Sequence, residues 1–200
     1  MSDLHLILHG LAIKKHSDAD GVARLLGLDR DLVAQSLTAA VKEGSAVEIQ
    51  GKYMLSPLAR ITVESDYSRR YGSLRKNAEF MAAYEAFERI NLQLKSLITE
   101  WQTMEVGGQQ VANDHSNKDH DLRLIDRLGN MHESADRILA ELSTHLPRLE
   151  TYRTHLLAAL ERAEDGAIEW VSDARIDSYH TLWFELHEDL LRIVGREREE

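Results

Sequence analysis

Apolar residues recur with helical spacing through the first 45 residues of the chain. Residues 4–13 form an apolar stretch that predicts a first helix. Residues 19–26 predict a short second helix, for which Ser17 or Asp18 can supply the N-cap. Residues 30–43 predict a third helix, capped by Asp29. Its apolar positions lie on one face and are Leu32, Val33, Leu37, Ala40 and Val41.

After Gly44 the spacing of the apolar residues changes from the helical repeat to the alternation that is typical of a β-strand. Residues 46–49 and 52–55 alternate around Gln50-Gly51, which predicts a two-stranded β-hairpin. Ser56-Pro57 then begins another helix, because proline is favoured at the first helical position. The second and third helices are joined by a short turn that contains Gly27. Three helices followed by a β-hairpin is the order of elements in a winged helix-turn-helix domain.

Longer amphipathic patterns fill the second half of the chain. Helices are predicted over residues 78–101, 118–144 and 176–194, with another after Pro147. Residues 105–117 break the pattern and predict an irregular segment, with a flexible loop over residues 107–110 and a turn over residues 113–116. The helix over 118–144 is predicted to bury one face. The residues of that face are Leu122, Ile125, Leu128, Met131, His132, Ala135, Ile138, Leu139 and Leu142. The predicted fold class is therefore mainly α: an N-terminal winged helix (three helices plus a β-hairpin) followed by an antiparallel helical bundle.

The charge of the chain is distributed unevenly. The whole sequence has 24 Lys and Arg against 34 Asp and Glu, a formal net charge of −10. Residues 1–77 hold 11 basic and 9 acidic residues (+2), whereas residues 78–200 hold 13 and 25 (−12). We therefore predict a winged helix-turn-helix domain with a linker helix over residues 1–77. Residues 78–200 are predicted to form an acidic helical domain for ligand binding and dimerisation. Only the first domain can approach a polyanion without strong repulsion.

Composition excludes several classes of chemistry. The chain has no cysteine, so it has neither a disulfide framework nor a thiolate metal site. Its longest stretches without Asp, Glu, Lys or Arg are ten residues, too short to span a bilayer. The first residues lack the basic start of a secretory signal. We expect a soluble cytoplasmic protein that does not bind membranes.

The segment over residues 18–58 resembles the winged-helix domains of bacterial regulators of the MarR and GntR types. The resemblance is carried by residues 20–29, 33–37, 41–44 and 51–57, together with Val47. It implies double-stranded DNA as a partner, with the third helix in the major groove and the hairpin near phosphate. The DNA-binding residues that it implies are Arg30, Gln35, Ser36, Thr38, Lys42 and Lys52. The third helix is poor in arginine, the usual reader of guanine, so docking to a protein is the alternative.

The second half resembles a helical domain of actinobacterial proteins associated with phosphoenolpyruvate-utilising enzymes related to pyruvate, phosphate dikinase. The resemblance is carried by residues 113–115, 125–128 and 177–190. Together the two resemblances imply a transcriptional regulator, expected to be a homodimer, whose helical domain senses a small molecule. The alternative is a non-catalytic accessory subunit of such a phosphotransferase, with the winged helix as the docking surface.

The densest cluster of aromatic and titratable residues lies near the C-terminus, around His180 and His187. These two histidines are two helical turns apart, about 10 Å along the axis, which is too far for both to bind one ion directly. We predict no metal site, no cofactor and no catalytic residues. A third reading, an acid–base or metal-dependent enzyme built on His180, Glu185 and His187, is less favoured. The predicted ligand-binding residues are Trp101, Asp114, His115, Tyr179, His180, Trp183, Glu185 and His187.

Overall fold

The computed structural model describes residues 3–197 and is mainly helical. The first elements are α1 (Asp3–Lys14), α2 (Ala19–Leu26), α3 (Arg30–Lys42), β1 (Ala46–Ile49), β2 (Lys52–Leu55) and α4 (Pro57–Tyr71). They are followed by α5 (Ala78–Gln102), β3 (Thr103–Val106), β4 (Gln109–Ala112), α6 (Lys118–His145), α7 (Glu150–Glu164), α8 (Glu169–Ser172) and α9 (Tyr179–Val194). Each described helix falls short of the length and apolar character that a membrane crossing requires.

The chain forms two compact units. The first comprises the described residues of Met1–Asn77 and of Glu185–Glu200, and the second is Ala78–Phe184. Helix α9 therefore begins in the second unit and ends in the first. The sequence division had assigned residues 185–200 to the second domain. The structure groups them with the first unit, in which Asp189 of α9 lies 2.9 Å from His9 of α1 and Arg192 lies 3.6 Å from Glu64 of α4.

Local chemistry explains where the helices of the first unit begin and end. The Asp18 carboxylate accepts a hydrogen bond from the amide of Gly21 at the start of α2. Asp29 does the same for the amides of Asp31 and Leu32 at the start of α3. Gly27 has a φ of 65°, the left-handed conformation that ends a helix at little cost when the residue is glycine. These caps fix the short turn between α2 and α3.

The register of the first hairpin gives its two faces different characters. Val47 pairs with Met54 and Ile49 pairs with Lys52, so these four side chains share one face. The opposite face contains Ala46 and Leu55, which are buried in the first unit. Val47 and Ile49 are 43% and 52% exposed. The hairpin therefore presents an apolar face to solvent.

A second hairpin replaces the flexible loop that was predicted around Gly107-Gly108. Strands β3 and β4 pair in antiparallel register, with Val106 opposite Gln109. Gly107 and Gly108 have φ values of 61° and 80°, which suits the two central positions of a type I′ turn. The loop prediction was wrong because it read two adjacent glycines only as flexibility.

Three hydrogen-bonded polar side chains lie in the core of the first unit. The His9 imidazole lies 2.9 Å from the Tyr67 hydroxyl through Nδ1 and 2.9 Å from the Asp189 carboxylate through Nε2. The side chains of His9 and Asp189 are fully buried. These hydrogen bonds connect α1 to α4 and to the last turns of α9. Asp189 lies 180 positions after His9 along the sequence.

Protonation of His5 is expected to destabilise the first unit at acid pH. Burial lowers the pKa of His5 to about 4, helped by the nearby Arg70 and His9 and opposed by Asp66. The unfolded chain, with an ordinary pKa near 6.5, then binds the proton more readily than the folded chain between pH 6.5 and 4. The melting temperature should fall as pH falls through this window. His5→Gln should flatten that dependence, and an unchanged slope in the variant would contradict the assignment.

The second unit has its aromatic core where α9 begins. The Trp183 ring stacks on Phe87 with centroids 4.8 Å apart, and its Nε1–H donates to the Asn91 side-chain oxygen at 3.0 Å. Tyr179 stacks on the same indole with centroids 6.1 Å apart. The inward face predicted for α6 is correct for Leu128 and the other buried members. It is wrong for Leu122, which is 56% exposed.

Candidate functional site

The outer face of α3 is polar and open to solvent. Gln35, Thr38 and Lys42 are exposed and Ser36 is half-buried. Of the predicted apolar face, Val33, Leu37 and Ala40 are buried, whereas Leu32 is 39% exposed. Lys52 is exposed beside the turn of the first hairpin. No described side chain bonds to Gln35, Lys42 or Lys52. This surface therefore offers an amide and two ammonium groups without internal partners.

Arg30 is engaged by acidic neighbours. Its Nε donates to Asp20 at 2.7 Å and its guanidinium also donates to Asp31 at 3.3 Å. Asp20 additionally accepts from Arg24 at 3.4 Å. These pairs are exposed, so they exchange readily with other anions. Arg30 lies at the predicted position, but its charge is already compensated.

The charge on this surface is small overall. Helix α3 and the first hairpin carry three cations, Arg30, Lys42 and Lys52, against the carboxylates of Asp31 and Glu48. Elsewhere in the first unit, basic side chains also pair internally. Arg69 and Arg70 share the Asp66 carboxylate, and their hydrogen bonds and charges hold its pKa below the ordinary value against the opposing effect of burial.

The predicted ligand-binding residues do not form one pocket. Trp101 and His115 contact each other, with ring centroids 4.6 Å apart. Tyr179 and Trp183 are buried in the core that contains Asn91, where the Tyr179 hydroxyl lies 3.1 Å from His132 Nδ1. Asn91 and Trp101 are ten residues apart on α5, about 15 Å along the helix axis. The two aromatic groups are therefore separate.

The remaining predicted residues take other positions. His180 is half-buried in α9, and Asp114 is exposed and accepts a hydrogen bond from the amide of Ser116. Glu185 and His187 belong to the first unit and are buried there. The Glu185 carboxylate lies 2.8 Å from the Lys14 ammonium. These contacts explain the density of polar residues in α9 as internal bonding.

The junction between the second hairpin and α6 contains a compact polar cluster. The His115 Nδ1 lies 3.1 Å from Asp121 Oδ2, and Asp121 is 4% exposed. Asn113 donates from its side-chain amide to the Trp101 carbonyl at 2.9 Å and to Asp121 Oδ1 at 3.2 Å. Asn113 Oδ1 in turn accepts from the amide of His115 at 3.0 Å. We call Trp101, Asn113, His115 and Asp121 the junction cluster.

Asp121 and Asn113 were missed as members of this site. Asp121 stands in the first turn of α6, where an acidic residue is usually explained by the helix dipole. The Asn113 side-chain amide links Asp121 to the carbonyl of Trp101, which is distant in sequence. The one local signal was the run Asn113-Asp114-His115, whose side chains are suited to turns.

A cavity of about 650 Å³ lies beside the second hairpin, within the second unit. Its wall combines residues from the end of α5, both strands of the hairpin and the start of α6, including Glu100, Thr103, Glu105, Gln110, Asn117 and His120. None of the eight predicted ligand-binding residues lines it. Across residues 3–197, no group of three or more His, Asp or Glu side chains is arranged to hold a metal ion.

Comparison with known proteins adds no relative. No protein-family model, no curated protein and no solved structure matches the chain. The class that the structure defines is a mainly helical protein of two compact units. The resemblances to winged-helix regulators and to dikinase-associated domains stay predictions from the sequence.

Proposed function

We propose that the chain is a DNA-binding transcriptional regulator with a small-molecule-sensing helical unit, acting as a homodimer. The observation that carries the proposal is the outer face of α3. Gln35 and Lys42 are exposed there without described partners, on a helix that follows α2 after a short, capped turn. An exposed helix at this position in a helix-turn-helix reads base edges in the major groove.

The hairpin after α3 supports the same proposal. Lys52 stands next to its turn, where the wing of a winged helix approaches phosphate. Gln35 has the amide that pairs with adenine, and Lys42 and Lys52 neutralise phosphates. For the sensing role, the 650 Å³ cavity beside the second hairpin is large enough for a small metabolite.

A charge-variant series tests the α3 surface. The ligand is the double-stranded DNA upstream of the gene for this chain, in a mobility-shift assay at several salt concentrations. Lys42→Ala and Lys52→Ala should each reduce the slope of log affinity against log salt by about 1. Asp20→Asn should strengthen binding, because it removes a carboxylate and releases Arg30.

Lys76→Ala is the matched control, since Lys76 is an exposed lysine of the first unit outside α3 and the hairpin. It should leave the slope nearly unchanged. Equal effects of all three lysine variants would show a general charge effect and would contradict a DNA-reading α3.

The second candidate function is an accessory subunit that uses the winged helix to dock a protein, as the resemblance to dikinase-associated domains suggests. The apolar outward face of the first hairpin favours it, because Val47 and Ile49 are exposed together. The same DNA assay separates the two candidates. Ile49→Ser leaves DNA affinity unchanged under the first proposal. Absence of any DNA complex at low salt, for every variant, would favour the docking function.

A further inference from the structure

The cavity of about 650 Å³ beside the second hairpin has a polar wall on its hairpin side. Glu105 stands opposite Gln110 in the register of β3 and β4, and Thr103 lies two residues before Glu105 on the same face. All three residues line the cavity. Val111 belongs to the other face and is 40% exposed. The hairpin therefore turns a polar face to the cavity.

Hydrogen bonds on this face fix the orientation of the Gln110 amide. The Thr103 hydroxyl donates to the Thr99 carbonyl at 2.7 Å, so its oxygen can only accept a further hydrogen bond. The side-chain nitrogen of Gln110 donates to that oxygen at 2.9 Å. The side-chain oxygen of Gln110 is therefore left as an acceptor, and no residue that the structure describes donates to it.

Glu105 supplies the negative charge of the wall. Its carboxylate is exposed and has no partner among the described side chains. Glu100, on the α5 side of the cavity, accepts two hydrogen bonds from Arg127 at 2.5 and 3.1 Å, which hold the pKa of Glu100 below its ordinary value. Arg127 thus compensates the charge of Glu100. The described lining contains neither Lys nor Arg, so the charge of Glu105 stays uncompensated.

The α6 side of the cavity adds two further groups. The side-chain oxygen of Asn117 accepts from the amide of His120 at 3.1 Å, so its NH₂ group remains available as a donor. The His120 Nε2 atom is buried and has no hydrogen-bond partner in the described part of the chain. A buried polar atom without a partner costs free energy, which a bound molecule can offset by supplying the missing bond.

We propose that this cavity binds a small aliphatic amine, with its ammonium group between the Glu105 carboxylate and the side-chain oxygen of Gln110. An ammonium group has three donors and no acceptor, which matches two acceptors on opposite strands. The hydrogen bond to Glu105 is charge-assisted and therefore the stronger of the two. An anion such as phosphoenolpyruvate meets no cationic side chain in the described lining. The inference rests on the sensing role proposed above, because it names the class of the effector.

The test is isothermal titration calorimetry of the full chain with butane-1,4-diamine at physiological salt, without DNA. We expect saturable binding of one diamine per chain. Glu105→Gln should weaken the affinity by about tenfold or more, because it removes the charge and preserves the shape of the side chain. Butane-1,4-diol, which has the same length without the charge, and phosphoenolpyruvate should show no binding. Absence of saturable diamine binding, or tighter binding of phosphoenolpyruvate, would overturn the proposal.

Glu161→Gln is the matched control. Glu161 is an exposed glutamate on α7 of the second unit, without a described partner and outside the lining of this cavity. The acidic second half of the chain attracts any multivalent cation, and this variant measures that general effect. We expect its diamine affinity to differ from wild type by less than about twofold. Equal weakening by Glu105→Gln and Glu161→Gln would contradict a specific site.

NMR of the wild-type chain locates the diamine without any substitution. The largest chemical-shift changes should fall within residues 99–120, and changes concentrated elsewhere would overturn the proposal. The calorimetry is independent of the DNA assay. If the chain binds DNA but not the diamine, the class of effector is refuted and the DNA-binding role stands. If it binds the diamine as expected but no DNA, the regulator proposal fails and the amine site stands.

Discussion

Trp183→Ala is expected to lower the free energy of unfolding of the second unit by about 3–5 kcal/mol. The indole is 2% exposed and stacks with Phe87 and Tyr179. Its removal creates a cavity and also deprives the Asn91 oxygen of its hydrogen-bond donor. Both losses act on the same buried region. The decrease in the free energy of unfolding should therefore lie near the upper end of the range for single core substitutions.

Urea unfolding followed by circular dichroism measures this effect, and hydrogen exchange of the α5 and α6 amides assigns it to the second unit. Phe184→Ala is the matched control, because the neighbouring Phe184 is an aromatic residue that is 38% exposed. The control should lower the free energy of unfolding by only about 1–2 kcal/mol, because Phe184 is partly exposed already. Equal losses in the two variants would contradict the aromatic core described here.

Asp189→Ala is expected to destabilise the first unit by about 3–5 kcal/mol. The substitution leaves His9 Nε2 buried beside an empty space where the carboxylate had stood at 2.9 Å. Asp189→Asn should cost less, because the amide oxygen still accepts a hydrogen bond. Since Asp189 lies in α9 and His9 in α1, the loss also measures how strongly the end of α9 stabilises the first unit.

Thermal and urea unfolding of both variants test this expectation, with the exposed Asp31→Ala as control. Asp31 is a carboxylate of the same unit whose ion pair is at the surface. The free energy of unfolding of Asp31→Ala should therefore lie within about 1 kcal/mol of the wild-type value. An Asp189→Ala variant as stable as Asp31→Ala would show that α9 contributes little to the first unit.

The sequence predicted those parts of the fold that depend on interactions between residues close together along the chain. The periodic apolar face of α3 and the capping carboxylates of Asp18 and Asp29 act within a few residues of each other, so they can be read from the chain. The second hairpin was missed because β3 and β4 are only four residues long, and β4 lacks the alternation of apolar and polar residues that marks a half-buried strand.

The site was only partly predictable because tertiary contacts assemble it. Trp101 and His115 were both selected for their chemistry, but their contact depends on how the second hairpin returns the chain to the end of α5. Tyr179 and Trp183 looked like the walls of a pocket, whereas Trp183 stacks on Phe87, Tyr179 stacks on Trp183, and both fill the core. Aromatic residues at helical spacing form either arrangement, and only three-dimensional packing distinguishes a wall from a core.

The most direct test of the account is the wild-type affinity for DNA, measured by fluorescence anisotropy at physiological salt. One duplex carries the upstream sequence of the gene for this chain, and the other is a scrambled duplex of the same composition. A regulator that reads bases through α3 should bind the upstream duplex at least about 10³-fold more tightly. Equal affinity for the two duplexes, or no binding to either at low salt, would contradict the proposed function.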